Sequence, residues 1–321
     1  MLICPRCGSA LQQAGNSVVS CRCGGTYPRL PSGGLDFLQG AEFADFDLDE
    51  EDGVQRALLE QEADGVTARM DGFLTPLIRR FALSSGKPSN RLAILDCGCG
   101  NGLSVDILTA QGMDAWGIDA GSARHQQWRR RLAPGRLLSA NALRIPFADA
   151  TFDVVLSSGL VEHIGIHEEE GNGYRAQRLP DCDEQREQFV RELVRVLKID
   201  GFILMDHPNG AFPADFWHGG EAGSIRWHRP HGDMLPRFPE IVRYFRLADP
   251  SLNLVSLSPS RRLSFNKVGV HWYGRLFAPA MKTWLQVMDI PAVSFLARSC
   301  LNPYLVTVAA RQRDLRRWLY P

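Results

Sequence analysis

The 321-residue chain is 45% hydrophobic and carries 36 basic against 36 acidic side chains. That length allows one large domain or two ordinary ones around a substantial packed core. The balanced charge excludes a global field drawing the protein toward polyanions, so a nucleic-acid role would need a local basic patch.

In chain order, Met1-Leu2-Ile3-Cys4-Pro5-Arg6-Cys7 lacks the charged region and long apolar run of a secretory signal, which points to a cytoplasmic protein. Eight cysteines in a reducing compartment read as thiols or metal ligands, not as a disulfide framework. Four of them form Cys4-x2-Cys7 and, after a hairpin-length gap, Cys21-x-Cys23. Two thiolate pairs on facing turns suit one tetrahedral structural zinc ion, without which so small a segment could hardly fold. Gly8, Gly24 and Gly25 fit the tight knuckles of such a site.

This segment resembles the zinc ribbon of the activator subunits of tRNA and translation-factor methyltransferases. The resemblance rests on Cys4-Pro5-x-Cys7-Gly8, Cys23-Gly24-x-x-Tyr27-Pro28 and Gly34-Leu35-Asp36-Phe37-Leu38. A similar ribbon precedes the methyltransferase domain of a bacterial rRNA guanine methyltransferase. Here the second pair departs from the family spacing, because Ser20 stands where its first cysteine is usual and Cys21 follows.

The run Glu42, Asp45, Asp47, Asp49, Glu50, Glu51, Asp52 reads as a solvated linker or lid segment. From Val54 to Leu83 an apolar pattern including Leu58, Leu59, Phe73, Leu74, Leu77, Ile78 and Phe81 predicts helices that pack on the next domain. Gly86, Pro88 and Ser89 mark a loop. Strands are then expected at Leu92–Leu95, Ala115–Ile118, Leu137–Ser139, Val154–Ser157 and Phe202–Met205, with helices at Leu103–Gln111, Ser122–Leu132 and Glu184–Leu197. Such alternation argues for an α/β, doubly wound Rossmann-like parallel sheet covered on both faces.

Asp96-Cys97-Gly98-Cys99-Gly100-Asn101-Gly102 lies between the first of these strands and its helix, where sheets of this kind bind ligands. Leu103 stands where a dinucleotide-binding fingerprint needs its third glycine, and Asp96 would put a carboxylate near phosphates. A cationic sulfonium and an amino group tolerate that acid. The loop and its sequel, from Leu92 to Asn209, resemble the class I S-adenosylmethionine-dependent methyltransferases. The resemblance implies a cofactor site formed by Asp96, Gly98, Gly100, Gly102, Asp119, Ala120, Asn141, Ala142 and Ser157. In that family the acid at Asp119 receives the ribose hydroxyls and the segment Asn141-Ala142 with Ile145-Pro146-Phe147 contacts adenine. Asn141 stands where Asp is common. The turn Lys198-Ile199-Asp200-Gly201 departs from the usual Lys-Pro-Gly-Gly.

The implied reaction is an in-line displacement that needs alignment and exclusion of water, and a base only when the acceptor is protonated at neutral pH. His163, after the fourth strand, is the first base candidate and His207, after the fifth, the second; a structural hydrogen-bonding role is the alternative for both. Glu162-His163 resembles part of a metal-assisted site in some quinone-pathway O-methyltransferases. Gly159 stands where a further acid is expected, so no catalytic metal is predicted. Ser157-Ser158-Gly159-Leu160 also replaces the Asn/Asp-Pro-Pro-aromatic motif of enzymes that methylate exocyclic amines.

Beyond the core, His207–Gly210, Phe212-Pro213, Asp215–His218 and Arg226–Pro230 read either as a sugar- or small-molecule-binding cap or as local packing. Val268–Leu301 is broken by Arg275, Lys282, Asp289 and Arg298, so it should not span a membrane. It reads as a C-terminal helical insertion before a last strand at Tyr304–Ala309, covering an acceptor pocket or docking a membrane surface or protein partner. The expected division is a zinc-ribbon-like module over 1–38, an acidic linker with packing helices over 39–90, and a methyltransferase domain over 91–321 whose residues 210–300 cap the acceptor side. Three functions stay open: O-methylation of a glycan or small metabolite, RNA methylation suggested by the ribbon and Arg124, Arg129, Arg130 and Arg131, and cofactor binding without turnover.

Overall fold

A computed structural model describes residues 2–13, 18–38, 63–169, 175–218, 225–228, 234–263, 272–312, 315 and 319. The acidic run Glu42–Asp52, the start of the 54–83 helical pattern, Arg229-Pro230 and the beginning of the Val268–Leu301 segment lie outside the described residues. Among the described residues no helix is long and apolar enough to cross a membrane.

The central feature is a seven-stranded, mostly parallel sheet of Rossmann-like type. Its strands are β4 (Ala93–Cys97), β5 (Asp114–Asp119), β6 (Leu137–Ser139), β7 (Phe152–Ser158), β10 (Leu197–Pro208), β13 (Asn253–Leu257) and β14 (Tyr304–Ala310), in the order β13-β14-β10-β7-β4-β5-β6. β4 pairs in parallel with β5 and with β7, and β5 with β6, while β13 and β14 pair antiparallel. Helices α1 (Thr75–Ser85), α2 (Leu103–Ala110), α3 (Ser122–Trp128), α4 (Cys182–Val196), α5 (Phe238–Ala248) and α6 (Trp272–Val287) intervene. Short antiparallel ladders join β1 (Gln12–Gln13), β2 (Val18–Ser20) and β3 (Thr26–Pro28), then β8 (Ile166–Glu169) with β9 (Arg175–Arg178), and β11 (Ala214–Asp215) with β12 (Arg226–Trp227).

The chain divides into two compact units, with β10 and α4 contributing to each. The first comprises Met1–Ser157, Arg191–Ile203 and Arg317–Pro321, and the second Ser158–Val190 and Leu204–Arg316. In the first unit Ile94, Leu95, Val154, Val155 and Phe202 are fully buried, and Phe81 of α1 meets Phe202 edge-on at 4.8 Å. Leu77, Ile78 and Phe81 fall at helical spacing and bury one face of α1. A π-helical turn over Met70–Leu74 precedes α1, with the Thr75 amide donating to the Met70 carbonyl. Pro76 follows directly; it lacks an amide and its ring would clash with a regular turn's carbonyl, which this wider turn avoids.

The turn expected at Lys198–Gly201 is instead part of β10, which starts immediately after α4. A side chain at Gly201 would come within 2.6 Å of the Asp153 carbonyl, so a glycine is needed where β10 meets β7. α3 stops at Trp128, short of Leu132, and Arg131 turns back to donate to the Asn101 carbonyl at 2.7 Å. The strands β8, β9, β11, β12 and β13 and helix α5 were not among the expected elements. The five strands have only two to five residues each, too short for a periodicity signal.

Asp153 is buried in the first unit and accepts from Lys87 at 2.9 Å, Lys198 at 2.8 Å and the Ala93 amide at 3.0 Å. Burial pushes its carboxyl up, but the Lys198 ammonium, the Ala93 amide and Lys87 outweigh this and hold it below the usual carboxylate range. A depressed folded pKa stabilises the fold above the unfolded value near 3.9 and loses that contribution as pH falls through the folded value. Asp153→Asn should therefore destabilise the protein by about 2 kcal/mol at pH 7, below the usual cost of breaking a buried pair because both lysines can reach water. Urea midpoints of wild type and variant should converge only below about pH 4; a gap independent of pH would rule out the ion-pair account.

Candidate functional site

In the first unit, β4 ends in the glycine loop. Gly98 and Cys99 donate to the Ile118 carbonyl at 2.9 and 3.0 Å, pinning the loop to the end of β5. Gly98, Gly100 and Gly102 have φ of 85°, 53° and 77°, the left-handed region where side chains are strained. At Gly102 a Cβ would also fall 2.6 Å from Leu137. Trp128, fully buried, donates its indole N–H to the Gly100 carbonyl at 2.9 Å, and the Asn101 side chain accepts from the Leu103 amide at 2.9 Å to start α2.

Asp96 is buried and accepts from the Ser104 hydroxyl. Asp119, at the tip of β5, accepts from the Gly100 amide at 2.7 Å and the Gly121 amide at 2.9 Å, one on each oxygen. A carboxylate offers about four lone-pair sites, so this half-buried acid retains capacity for two further donors, as a ribose diol would supply. Ala120 follows it, and the Ala140 amide donates to the Asp119 carbonyl at 3.1 Å, bringing the Asn141-Ala142 turn alongside. The Asn141 side-chain oxygen accepts from the Leu143 amide at 2.8 Å, which leaves its amino group as a donor. Ser157 near the end of β7 is buried, and its hydroxyl has no protein partner among the described residues. An orphaned buried hydroxyl, three loop glycines at positive φ and an acid with spare acceptor capacity fit S-adenosylmethionine. Cys97 and Cys99 are buried; burial and the Asp96 and Asp119 charges push their thiols well up, so they pack as neutral groups.

Two positioning residues had no sequence signature beyond an ordinary i,i+3 helix pair. Glu192 accepts from the Ile145 amide at 2.7 Å, and Arg195, paired to Glu192 at 2.7 Å, donates to the Ile145 and Phe147 carbonyls at 2.8 and 2.7 Å. Together they fix the 145–147 segment from its outer side.

The four-cysteine cluster lies in the same unit. The sulfurs of Cys4, Cys7, Cys21 and Cys23 all fall within 4.8 Å of one another, with Cys4 to Cys23 at 3.7 Å and Cys7 to Cys21 at 3.3 Å. A tetrahedral ion with bonds of about 2.3 Å separates its sulfurs by about 3.8 Å, so this donor set fits zinc. Gly8 and Gly24 turn the knuckles at φ of 71° and 83°, and the Tyr27 hydroxyl lies 3.0 Å from the Cys4 sulfur. The Ser9 hydroxyl and amide draw the Cys7 thiol down to about 6. At Cys21 the Cys23 amide favours the thiolate, but burial and the neighbouring sulfurs push the thiol up to about 12. Four such sulfurs cannot all ionise without a cation among them. The ribbon also closes the sheet: Asp36 bridges Ser139 of β6 in parallel, the Phe37 amide donates to the Ser139 carbonyl at 2.8 Å, and the Ile3 amide donates to the Pro146 carbonyl at 3.0 Å.

Both base candidates fall in the second unit. His207 lies within β10, not beyond it, fully buried, with Nδ1 donating to the Pro208 carbonyl at 2.8 Å and Nε2 without a partner among the described residues. Burial lowers its pKa and keeps it neutral. His163 is half-buried in the tight turn after β7, in ring contact with His218 at 5.2 Å. Ligand atoms of Glu162, His163 and His218 lie within 4.8 Å of one another, so the fold adds to Glu162-His163 a histidine far downstream that local spacing could not associate with it. Arg131 is committed to Asn101 and Asp106 inside the first unit, which removes one member of the arginine set that suggested RNA.

The sheet order and the glycine loop define a Rossmann-like α/β domain. Residues 95–205 match the family model described as a methyltransferase domain. Over 116 residues the chain is 27% identical to a probable S-adenosylmethionine-dependent methyltransferase of Mycobacterium tuberculosis, covering 36% of this chain and 35% of that one. It is 27% identical over 158 residues to an uncharacterized methyltransferase of Mycobacterium sp. strain JLS, covering 47% and 55%. A TehB-like methyltransferase structure from Corynebacterium glutamicum superposes with a TM-score of 0.40 at 14% identity, over 74% of this chain and 88% of that one. The matched segments span about a third to just over half of the curated relatives.

Proposed function

We propose that the protein transfers a methyl group from S-adenosylmethionine to a hydroxyl of a glycan or small metabolite. The observation that carries the reading is Asp119: its carboxylate ties the glycine loop to the end of β5 and keeps acceptor capacity for a ribose diol. Asp96, Gly98, Gly100, Gly102, Ala120, Asn141, Ala142 and Ser157 complete the cofactor set. When bound, the cofactor supplies an electrophilic methyl group on a sulfonium.

The second unit supplies the acceptor chemistry in this reading. His163, beside the buried Glu162 carboxylate, takes the proton of the acceptor hydroxyl, while neutral His207 packs within β10. Phe212, Phe216, Trp217 and Tyr304 form a chain of ring contacts at 6.2, 5.8 and 4.7 Å, ending on Tyr304 below a partly exposed Trp217. Aromatic faces of this kind suit a sugar or flat metabolite. The test is methyl transfer from labelled cofactor to panels of glycosides, phenols and RNA. Labelled hydroxyl products, lost in Cys-intact Trp217→Ala and His163→Ala proteins that still bind S-adenosylhomocysteine, support the reading. Labelled RNA with strongly salt-dependent binding would replace it with the RNA alternative, and cofactor binding without any product would leave a cofactor-binding protein.

A further inference from the structure

The Glu162, His163 and His218 cluster has features that a proton relay does not require. Glu162 is 1% exposed, and its Oε2 has no hydrogen-bond partner among the described residues. A buried carboxyl oxygen left in that state is costly unless it finds a further partner. Arg186 is fully buried; its Nη2 donates to the Glu162 and Met234 carbonyls at 3.1 and 2.5 Å and its Nε to the Ile164 carbonyl at 3.1 Å, while its Nη1 has no hydrogen-bond partner among the described residues. Arg186 therefore fixes the backbone of the 162–164 turn.

His218 is held in an equally specific way. Its Nδ1 lies 2.9 Å from Asp215, whose carboxylate also accepts from the Trp217 amide at 2.9 Å, the His218 amide at 3.2 Å, and Arg226 Nε and Nη2 at 3.1 and 3.0 Å. Asp215 is buried; burial alone would raise its pKa, but His218, the Trp217 amide and Arg226 hold it well below the usual carboxylate range. Nδ1 is engaged by Asp215, so Nε2 is the ring nitrogen that would serve as the ligand atom. A carboxylate orienting a histidine through one ring nitrogen so that the other can bind metal is the recurrent outer shell of metal sites.

We infer that Glu162, His163 and His218 bind a divalent first-row transition metal, with Asp215 orienting His218. Two imidazoles and one carboxylate without a thiolate select such ions over magnesium or calcium, and a three-donor set leaves positions open for an oxygen ligand. The inference rests on the reading of the protein as a hydroxyl methyltransferase and deepens it. An acceptor hydroxyl at an open position would be acidified by the ion, and His163 would then serve as ligand in place of the base role given above. Gly159 therefore does not abolish the metal site, because the third donor arrives from the loop after β11.

The experiment is cobalt(II) titration of the full chain, reduced and loaded with a single equivalent of zinc, which the four thiolates take in preference to an imidazole–carboxylate set. The expected result is one equivalent of cobalt with weak visible bands and no sulfur-to-cobalt charge-transfer band. Affinity should fall roughly 10–100-fold in Asp215→Asn and further in His218→Ala and Glu162→Gln, while a Cys7→Ser protein keeps the site. Wild-type protein that takes up no cobalt, or only thiolate-ligated cobalt, overturns the inference even if every variant misfolds. Parallel titration with S-adenosylhomocysteine separates the two readings: binding without cobalt uptake removes only the metal site, and cobalt uptake without binding removes only the methyltransferase reading.

Discussion

Asp119→Ala is expected to weaken S-adenosylhomocysteine binding by about 3 kcal/mol, roughly a hundredfold in Kd, in calorimetric titrations against wild type. Two hydroxyls donating to one carboxylate are each worth about 1.5–3 kcal/mol because the acceptor is charged. The variant also frees the Gly100 and Gly121 amides that Asp119 now receives at 2.7 and 2.9 Å, so the loop loosens. Those amides regain water in a half-exposed site, which limits the cost to the fold to about 1 kcal/mol. Asp119→Asn, which keeps one acceptor oxygen but no charge, should fall between the two proteins. A folded Asp119→Ala protein that binds as tightly as wild type would remove Asp119 from the cofactor site. A folded wild type that does not bind at all would remove the cofactor assignment.

The second large effect concerns the ribbon, for which we expect one zinc ion on Cys4, Cys7, Cys21 and Cys23. The coordination free energy of such sites, about 10–16 kcal/mol near neutral pH, is the folding energy of the small module that forms them. Titrating the thiols should release zinc and abolish amide-exchange protection over Val18–Phe37, while β4, β7 and β10 stay protected. The cofactor site should respond as well. Ile3 donates to Pro146, Leu2 bridges Phe147 and Phe37 donates to Ser139, so the ribbon holds both the β6 edge and the 145–147 segment. Losing these bonds loosens the segment without removing a cofactor contact, so about 1.4 kcal/mol should reach binding and weaken S-adenosylhomocysteine roughly tenfold. Reduced, freshly purified protein without thiolate-bound zinc but with protected ribbon amides would end this account.

The altered second pair, Cys21-x-Cys23, illustrates where spacing and geometry diverge. The shortened spacing still places all four sulfurs within 4.8 Å, because Gly24 takes a left-handed turn and donates to the Cys21 carbonyl at 2.9 Å. Asn141 is a second case. It keeps the tight turn that its side-chain oxygen forms with Leu143, and offers an amino donor where an aspartate has none.

Local sequence was sufficient wherever neighbouring residues do the physical work. The hydrophobic runs that become β4 and β7 are buried on both faces, so they read as strands without reference to any partner. The glycines of the loop meet their steric demands within a few residues, and each cysteine pair sits on a single turn. Everything that depends on distant residues was decided by the tertiary structure. β13 is a five-residue strand held by its antiparallel partner β14, and Glu192 and Arg195 reach the 145–147 segment only because α4 folds back over it. The ribbon's cover of the β6 edge comes from Asp36 meeting Ser139, and the Glu162–His163–His218 cluster exists only because the chain returns after β10 and Asp215 aims an imidazole. Periodicity and spacing encode contacts a turn or two apart; donors drawn from separate elements are set by packing, which no local pattern records.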